Sequence, residues 1–494
     1  MASSSRTELL AAVGMGIAAV LALLGVREAL GLWGALGTDA PLWGLTARDV
    51  WVGARPLVPP LYPGLLAPFV AGGMSPVSVG AAVSLLSGGL LCGLVGWALR
   101  TMGASFRTAA LAGALAFALP DVAGWAFQLQ PDALATAWSV GLGLALWAHV
   151  SGHPKAAAVV VVLGGLAPLL RAHGLVWAAV SVLALLLGPV RSRWTALLVP
   201  VVLWGGPLLV GVRPGLHPLD FAWSDRAGGA LGALTTTDPT SLSYLNELHR
   251  EQRAEYAQLV VEGRRLEQLG WHAARSLRLA PDGWLLVLGG LAAAGRQAWK
   301  KKDRASLALA LPLLAALPAV VIWSQRRHVV LMVPLALICM WTALRGRKLL
   351  IGLLAVILGV HGAVNWPNAA RAWQSERPRA EHYADIGNWL AHHAPTGSLL
   401  GGVFQDIGLY APAMGRHDPD GSAADWWTFY VGDRAPPARG WEVVYVGPGG
   451  MSVYQREPDR VPRPCAGQAP AEDTPHLAIA RAHAEVPGCK VDQE

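Results

Sequence analysis

A single carboxylate on a proline-braced stretch between two apolar runs is the first feature that could do chemistry. Residues 45–70 read LTARDVWVGARPLVPPLYPGLLAPFV and contain one acidic residue, Asp49, followed by Arg55 and Pro59-Pro60. Proline fixes its own φ and restricts the residue before it, so the stretch is stiff where it re-enters an apolar run. A lone carboxylate held at a membrane surface can act as a general base. An ordinary solvated loop is the alternative interpretation.

Two short turns between apolar runs carry clusters of cations. One contains Arg171 and His173, and the other contains Arg326, Arg327 and His328. Cations at the mouth of an apolar bundle are costly unless they are paired, and the arginine fork suits phosphate oxygens. The two clusters therefore predict a phosphate-bearing ligand that these five residues contact. Snorkelling of the same side chains to lipid headgroups is the alternative.

A carboxylate and a set of cations at one membrane face suit transfer of a group from a lipid phosphate donor. The carboxylate would take a proton from an acceptor hydroxyl. The cations would stabilise the charge that develops on the departing phosphate. Because phosphate leaves with little or no protonation, one carboxylate suffices, whereas soluble glycosidases usually need two.

Membrane-spanning helices must position these residues. The 494 residues are 53% hydrophobic and 14% charged, with a mean hydropathy of +0.41, which is far from a soluble average. Repeated apolar runs of roughly 17–25 residues predict a polytopic α-helical membrane protein, and no nucleic-acid partner is expected. About eleven spans are predicted, at 8–27, 77–99, 108–126, 132–150, 156–170, 175–190, 195–212, 284–298, 306–324, 329–344 and 348–365.

The distribution of basic residues predicts the orientation of the spans. Five basic clusters fall on alternate turns: Arg100 with Arg107, His153 with Lys155, Arg191 with Arg193, Arg296 through Arg304, and Arg345 with Arg347 and Lys348. If the N-terminus is cytoplasmic, all five are cytoplasmic, as the positive-inside rule requires. The odd number of spans then places the C-terminal region outside the cytoplasm, on the face that carries Asp49 and both cation turns.

This orientation has a direct test. A reporter that is active only in the cytoplasm should stay silent when it is fused after Glu494, because an odd number of spans separates the two termini. Strong reporter activity would contradict the eleven-span arrangement.

The predicted spans divide the chain into three regions. Residues 1–366 form the transmembrane domain, with outer loops at 28–76 and 213–283. Residues 367–456 are expected to form a small external α/β domain, and residues 457–494 a proline-rich tail.

Local patterns add detail to the external segments. A helix is predicted at 379–393, and the β-formers at 441–446 and 451–454 flank a glycine-rich turn and predict a hairpin. Helically spaced apolar residues in 243–278 predict one or two amphipathic helices at the membrane interface, after a helix start at Asp238-Pro239. Packing of these helices on the protein's own outer surface is the alternative.

Cysteine placement predicts one disulfide. Cys465 and Cys489 would be the only cysteines in an oxidising compartment, so they are expected to pair. The closed loop of roughly 25 residues would contribute about 3 kcal/mol of stability. Mass spectrometry of the non-reduced protein should find them linked, and two free thiols would refute the pairing. Cys92 and Cys339 lie in apolar runs and are predicted to be inert packing residues.

The order of these motifs resembles the GT-C superfamily of integral-membrane glycosyltransferases, in the bacterial branch related to protein mannosyltransferases and the lipid A aminoarabinose transferase. In that family an acidic residue of the first external loop precedes a proline-rich entry; here these are Asp49 and residues 58–63, VPPLYP. Residues 171–175, RAHGL, resemble a turn after a middle span, and residues 327–334, RHVVLMVP, resemble the entry to a late span. The chain departs from the family in its lone Asp49, in Val58 and in His328, where a paired acidic motif, a histidine and a tyrosine are usual.

The resemblance implies an inverting transfer of a sugar from a polyprenyl phosphate donor to a lipid, glycan or protein acceptor, outside a bacterial inner membrane. Asp49 would be the base, and the five cationic residues would hold the phosphate. Arg55, Tyr62, Gln130 and Asp132 are candidates for substrate binding, although turn and cap roles are open for Gln130 and Asp132, as for Gln128 and Asp121. No cofactor is implied with certainty, and a divalent metal stays open.

The sequence leaves two other functions open. A transporter or flippase of a lipid-linked saccharide should show interrupted helices near the bilayer midplane, and often internal symmetry. A non-catalytic assembly protein should tolerate loss of Asp49. The polar residues of this chain gather at one face, which favours the enzyme.

Overall fold

The computed structural model describes residues 2–32, 40–49, 58–153, 155–171, 174–188, 193–209, 250–323, 326–394, 400–402, 407, 410, 429–432, 440–447 and 450–456. Several sequence predictions lie outside these residues. They concern Arg55, His173, the Asp238-Pro239 helix start and the Cys465–Cys489 disulfide, and they stay predictions.

Helices make up most of the described chain. The first ten are α1 (Ala2–Leu30), α2 (Ala40–Asp49), α3 (Leu61–Ala71), α4 (Pro76–Thr101), α5 (Phe106–Leu115), α6 (Pro120–Phe127), α7 (Asp132–Val150), α8 (Ala156–Leu170), α9 (Gly174–Leu187) and α10 (Leu198–Leu209), the last preceded by a 3-10 turn at Trp194–Leu197. They are followed by α11 (Arg250–Val261), α12 (Arg265–Leu279), α13 (Pro281–Lys301), α14 (Arg304–Trp323), α15 (Arg326–Val330), α16 (Val333–Leu344) and α17 (Lys348–His393).

Each predicted span coincides with a helix or a pair of helices, and the chain is a multi-pass membrane protein. Five helices of the described chain are long and apolar enough to cross a membrane, or up to seven if each bent pair is counted as one span. Shorter apolar helices, α8 and α9 among them, occupy other predicted spans. The number of eleven spans therefore stays a prediction.

The third predicted span is broken. Helices α5 and α6 meet at a 78° bend, and the break comes at Pro120, which begins α6 after Leu119 in an extended conformation. A residue before proline is disfavoured in the α region, so Pro120 favours a break here, after α5 has ended at Leu115.

Helix α1 packs closely on α4 because glycine residues of α4 have no side chain at the contact. A Cβ at Gly89 would lie 2.8 Å from the carbonyl oxygen of Gly16, and one at Gly93 would lie 2.9 Å from that of Ala12. Small residues let transmembrane backbones approach in this way. Helix α7 lies at the centre of the bundle, where it packs against α4, α8 and α14 and fully buries Val140, Leu142 and Leu146.

Three of the basic turns lie at one end of the bundle, those at residues 100–107, 296–304 and 345–348. The Arg345 guanidinium lies against the turn at Gly103, and Gln297, near the end of α13, donates to the carbonyl oxygen of Thr342 in α16. The other end of α13 carries Asp282, which binds Arg326. Since 21 residues of helix span roughly 30 Å, the basic end and the end that holds Arg326 (hereafter the site end) lie on opposite sides of the bundle.

The last predicted span continues into the C-terminal region as one helix. The separate helix predicted at 379–393 is the second half of α17, a helix of 46 residues that runs through Pro367 and Pro378. Beyond it, strands β1 (Leu400–Gly402), β2 (Phe429–Gly432), β3 (Trp441–Val446) and β4 (Ser452–Arg456) form a sheet in the order β1-β2-β4-β3. The predicted hairpin is confirmed, because β3 and β4 pair antiparallel.

The predicted amphipathic segment is present as two helices, α11 and α12. They pack on each other through Tyr256, which is fully buried and contacts the rings of Trp271 and His272. His272 Nε2 lies 3.0 Å from the Tyr256 hydroxyl, so the apolar face of this pair is covered in part by its own side chains.

Candidate active site

A buried ion pair lies at the site end between the start of α7 and the residue after α8. Arg171 Nη1 donates to Asp132 Oδ2 at 2.9 Å, and Arg171 Nη2 lies 3.5 Å from His328 Nε2. Asp132 is 0% exposed, and Arg171 and His328 are each 8% exposed. A buried charge is tolerated only with a partner, so each member of the pair offsets the desolvation cost of the other.

Local sequence explains how these residues reach one point. Asp132 begins α7 directly after Pro131, and acidic residues favour the first turn of a helix. Helix α8 ends just after Pro168, and Arg171 leaves it in an extended conformation at φ −152°. His328 lies in the short helix α15. Three segments that are distant in sequence therefore converge at the site end.

Asp132 retains a polar atom for a further contact. Its backbone carbonyl accepts from Thr136 Oγ1 at 2.7 Å, and its Oδ2 accepts from Arg171. Among the described residues, Oδ1 of Asp132 has no hydrogen-bond partner. A buried oxygen of this kind normally has one, and the predicted substrate-binding role of Asp132 stays a prediction.

A second group of contacts ties the first loop to the same end. The Tyr62 hydroxyl is fully buried and lies 3.0 Å from Ser84 Oγ, which donates to the carbonyl oxygen of Gln128 at 2.6 Å. Trp43 of α2 meets the Tyr62 ring edge-on at 5.8 Å. Tyr62 thus anchors α2 and α3 to the 128–132 turn, where Gln130 is also buried.

Asp49 closes α2. The sequence places it on a loop, whereas the structure makes it the last residue of a helix, about 9 Å along the axis from Trp43 at 1.5 Å per residue. Its side chain lies outside the described residues, so its base role stays a prediction. Helix α2 itself is well buried, with Leu45, Thr46 and Ala47 in the core.

A second ion cluster surrounds Arg326. Its Nη1 and Nη2 donate to the two carboxylate oxygens of Asp282 at 3.0 and 2.9 Å, and its Nε donates to Asp121 Oδ2 at 3.0 Å. His361 Nε2 lies 3.0 Å from Asp282 Oδ2. The guanidinium of Arg326 is therefore held by two carboxylates, which reduces its capacity to bind a phosphate.

Helix α15 separates the two clusters. Arg326 and His328 are two positions apart, and residues at that spacing point to nearly opposite sides of a helix. One contacts Asp121 and Asp282, and the other contacts Arg171. Arg327 lies between them and is half-buried.

The predicted site residues thus fall into distinct places. The structure brings together Arg171, His328 and Asp132, and places Tyr62 and Gln130 close by. It assigns Arg326 to the second cluster, with two residues that sequence reasoning did not select, Asp282 and His361. The Pro281-Asp282 helix start was a usable signal; nothing local marks His361, which lies within an apolar run. Within the described residues, no group of three or more His, Cys, Asp or Glu side chains is placed to hold a metal ion.

Comparison with solved structures finds similar chains. One is ArnT from Cupriavidus metallidurans bound to undecaprenyl phosphate, at 14% identity and a TM-score of 0.46, covering 91% of this chain and 99% of that one. Another is the Archaeoglobus fulgidus oligosaccharyltransferase in complex with zinc and sulfate, at 14% identity and a TM-score of 0.49, covering 87% of this chain and 67% of that one. Both are GT-C glycosyltransferases.

These are the kinds of protein that the sequence motifs resemble. The apo form of the same ArnT is similar at 17% identity and a TM-score of 0.43. No protein-family model matches the sequence, and no curated protein matches it significantly. At this identity and TM-score, the likeness assigns no role to any residue of this chain.

Proposed function

We propose that this protein is an inverting glycosyltransferase that moves a sugar from a polyprenyl phosphate to an acceptor at the outer face of a bacterial inner membrane. The observation that supports it most is the convergence at the site end. The helix that ends at Asp49, the 128–132 turn and both cation turns meet at one end of the bundle, opposite the basic loops.

The chemistry needs only groups of this kind. The acceptor hydroxyl oxygen attacks the anomeric carbon, and its proton passes to the Asp49 carboxylate. The bond between the anomeric carbon and the phosphate oxygen breaks, and the electron pair leaves with the phosphate. Arg327, Arg171, His173 and His328 stabilise the charge that develops there. Attack from the face opposite the phosphate inverts the anomeric centre.

The two arginine clusters then have different tasks. Arg171 is held by Asp132 through Nη1, and its Nη2 is directed towards His328, so it is oriented in advance for a phosphate near α15. Arg326 is occupied by Asp121 and Asp282. We therefore assign the phosphate chiefly to Arg327 and Arg171, with Arg326 in a supporting position.

Helix geometry favours this proposal over a transporter. A transporter binds its substrate where helices are interrupted near the midplane. Here the break between α5 and α6 brings Asp121 into contact with Arg326, and the break between α12 and α13 brings Asp282 to the same arginine. Both interruptions lie at the site end, where donor and acceptor would meet.

Replacement of Arg327 by alanine tests the phosphate assignment. Binding of polyprenyl phosphate to the full chain in lipid nanodiscs should weaken by about tenfold or more, because a charge-assisted hydrogen bond contributes about 1.5–3 kcal/mol. Turnover should also fall, since the same cation contacts the leaving group. Arg278→Ala removes an exposed arginine near the same end and should leave binding unchanged.

Two results would contradict the proposal. One is a parent chain that does not bind polyprenyl phosphate at all. The other is equal binding by Arg327→Ala and Arg278→Ala. Mass spectrometry of polyprenyl phosphate released from a panel of polyprenyl phosphate hexoses and pentoses identifies the sugar once binding is established.

A further inference from the structure

A polar cavity of about 460 Å³ lies beside the second ion cluster, on the side of α15 away from Arg171. Asp121, Asp282, Arg326, His361, Asn365 and Trp373 line it, together with Asn368. Its volume is within the usual range for small-ligand sites. No step of the proposed sugar transfer takes place in this cavity.

The charge of the lining argues against an anionic ligand. Two carboxylates, Asp121 and Asp282, face a single guanidinium that they already share. A phosphate or carboxylate entering here would meet excess negative charge, in contrast to the Arg171 side of α15. The lining favours an uncharged ligand that offers hydroxyl groups.

The polar groups are held in place before any ligand arrives. Asp282 is fixed by both Nη atoms of Arg326 and by His361. Asn365 Nδ2 donates to the carbonyl oxygen of His361 at 2.8 Å, and Asn368 Oδ1 accepts from Arg371 Nη2 at 2.7 Å. Fixed donors and acceptors lower the entropy cost of binding.

An indole ring completes the lining. Trp373 packs edge-on against Phe127 and Trp366 with ring centroids 5.5 Å apart in each case. Gly124 lets it approach α6, since a Cβ there would lie 2.7 Å from Trp373 Cζ2. The ring is therefore rigid, and an indole offers an apolar surface to the C–H groups of a pyranose while the amides and carboxylates take its hydroxyls.

The location suits a ligand that arrives from water. Asn365 is the last residue of the final predicted span, and Asn368 and Trp373 follow it on the part of α17 that leaves the apolar run. A hydrophilic molecule can reach this level without entering hydrocarbon.

We propose that this cavity binds an uncharged sugar unit of the acceptor, so that the acceptor is a saccharide or a glycolipid headgroup. The identification of the bound sugar as the acceptor rests on the proposed function, whereas the binding of a sugar in this cavity does not depend on it. The phosphate and the acceptor then lie on opposite sides of α15, the acceptor on the side of Arg326 and the phosphate on the side of His328. This arrangement keeps the two substrates apart until they meet at the end of α15.

Saturation-transfer NMR on the full chain in nanodiscs tests the cavity. The probes are the methyl glycosides of glucose, galactose, mannose and N-acetylglucosamine, and the 6-phosphates of the same sugars. At least one neutral glycoside should bind, and its 6-phosphate should bind roughly tenfold more weakly or not at all, because added negative charge faces Asp121 and Asp282.

Variants on one helix provide the matched comparison. Asn368→Ala should weaken binding of that glycoside by roughly five- to tenfold, the loss of one neutral hydrogen bond. Asn388→Ala removes an exposed asparagine of α17 that does not line the cavity and should bind as the parent does. Neither substitution should alter binding of polyprenyl phosphate.

The outcomes separate the two proposals. The cavity proposal is overturned if no neutral glycoside binds the parent, if the 6-phosphates bind as well, or if Asn368→Ala and Asn388→Ala behave alike. Absence of polyprenyl phosphate binding overturns the proposed function instead. In that case glycoside binding that depends on Asn368 still supports a sugar site.

Discussion

Replacement of Asp49 by asparagine should lower the turnover of sugar transfer by about 10²–10⁴-fold, the usual contribution of a positioned general base. Asparagine keeps the shape of the side chain and cannot accept the proton of the acceptor hydroxyl. Binding of polyprenyl phosphate should change little, because the phosphate is held by cations on other turns. The loss should therefore appear in the catalytic rate constant and hardly in donor affinity.

The first outer loop contains its own control. Glu28 and Asp39 are the other carboxylates of the 28–76 loop, and Asp39→Asn removes the same charge from the same segment. It should retain turnover close to the parent's. Transfer by Asp49→Asn at the parent rate would refute the base assignment, and an equal loss in both variants would indicate an effect of the loop's net charge.

Replacement of Asp132 by asparagine should destabilise the fold by about 3 kcal/mol, because it leaves the Arg171 guanidinium buried without its counter-charge. Asp132 is 0% exposed and lies 2.9 Å from Arg171 Nη1, so water cannot replace the lost partner. A membrane protein in detergent often unfolds irreversibly, so the measurement is the shift in melting temperature at a fixed scan rate.

Removal of both charges distinguishes the ion pair from general damage. Asp132→Leu combined with Arg171→Met replaces the pair by apolar side chains and should recover most of the lost stability. The double variant should still bind polyprenyl phosphate poorly, since it lacks one of the proposed phosphate ligands. Glu267→Gln breaks an exposed pair with Arg264 and should not shift the melting temperature. A single Asp132→Asn variant that melts with the parent would contradict this account.

The sequence by itself determined where the membrane helices lie. Hydropathy depends on composition within one segment, and a segment that must cross hydrocarbon has to satisfy its backbone internally. For the same local reason, the β3–β4 hairpin and the paired helices α11 and α12 were predictable. Pro120 was also a readable signal for the bend between α5 and α6, because its effect on Leu119 is local.

The length of α17 was not predictable in this way. Pro367 and Pro378 suggested separate elements, yet the helix passes through both. Each proline removes one backbone hydrogen bond, while the intervening residues include Ala369, Ala370 and Arg371, which favour helix. The balance between these local costs and gains depended on what α17 packs against, including Ala118 at Gly362 and Ile407 at Gly387.

Only the tertiary structure decided which charges meet. Arg326 binds Asp121, 205 positions away, and Asp282, 44 positions away; Arg171 binds Asp132 and lies beside His328. From the sequence, Arg326, Arg327 and His328 were all assigned to the same phosphate. The structure separates them because adjacent residues of a helix point in different directions, and because each buried cation must find a partner on another element. That requirement is met across the bundle, so no local pattern could reveal it.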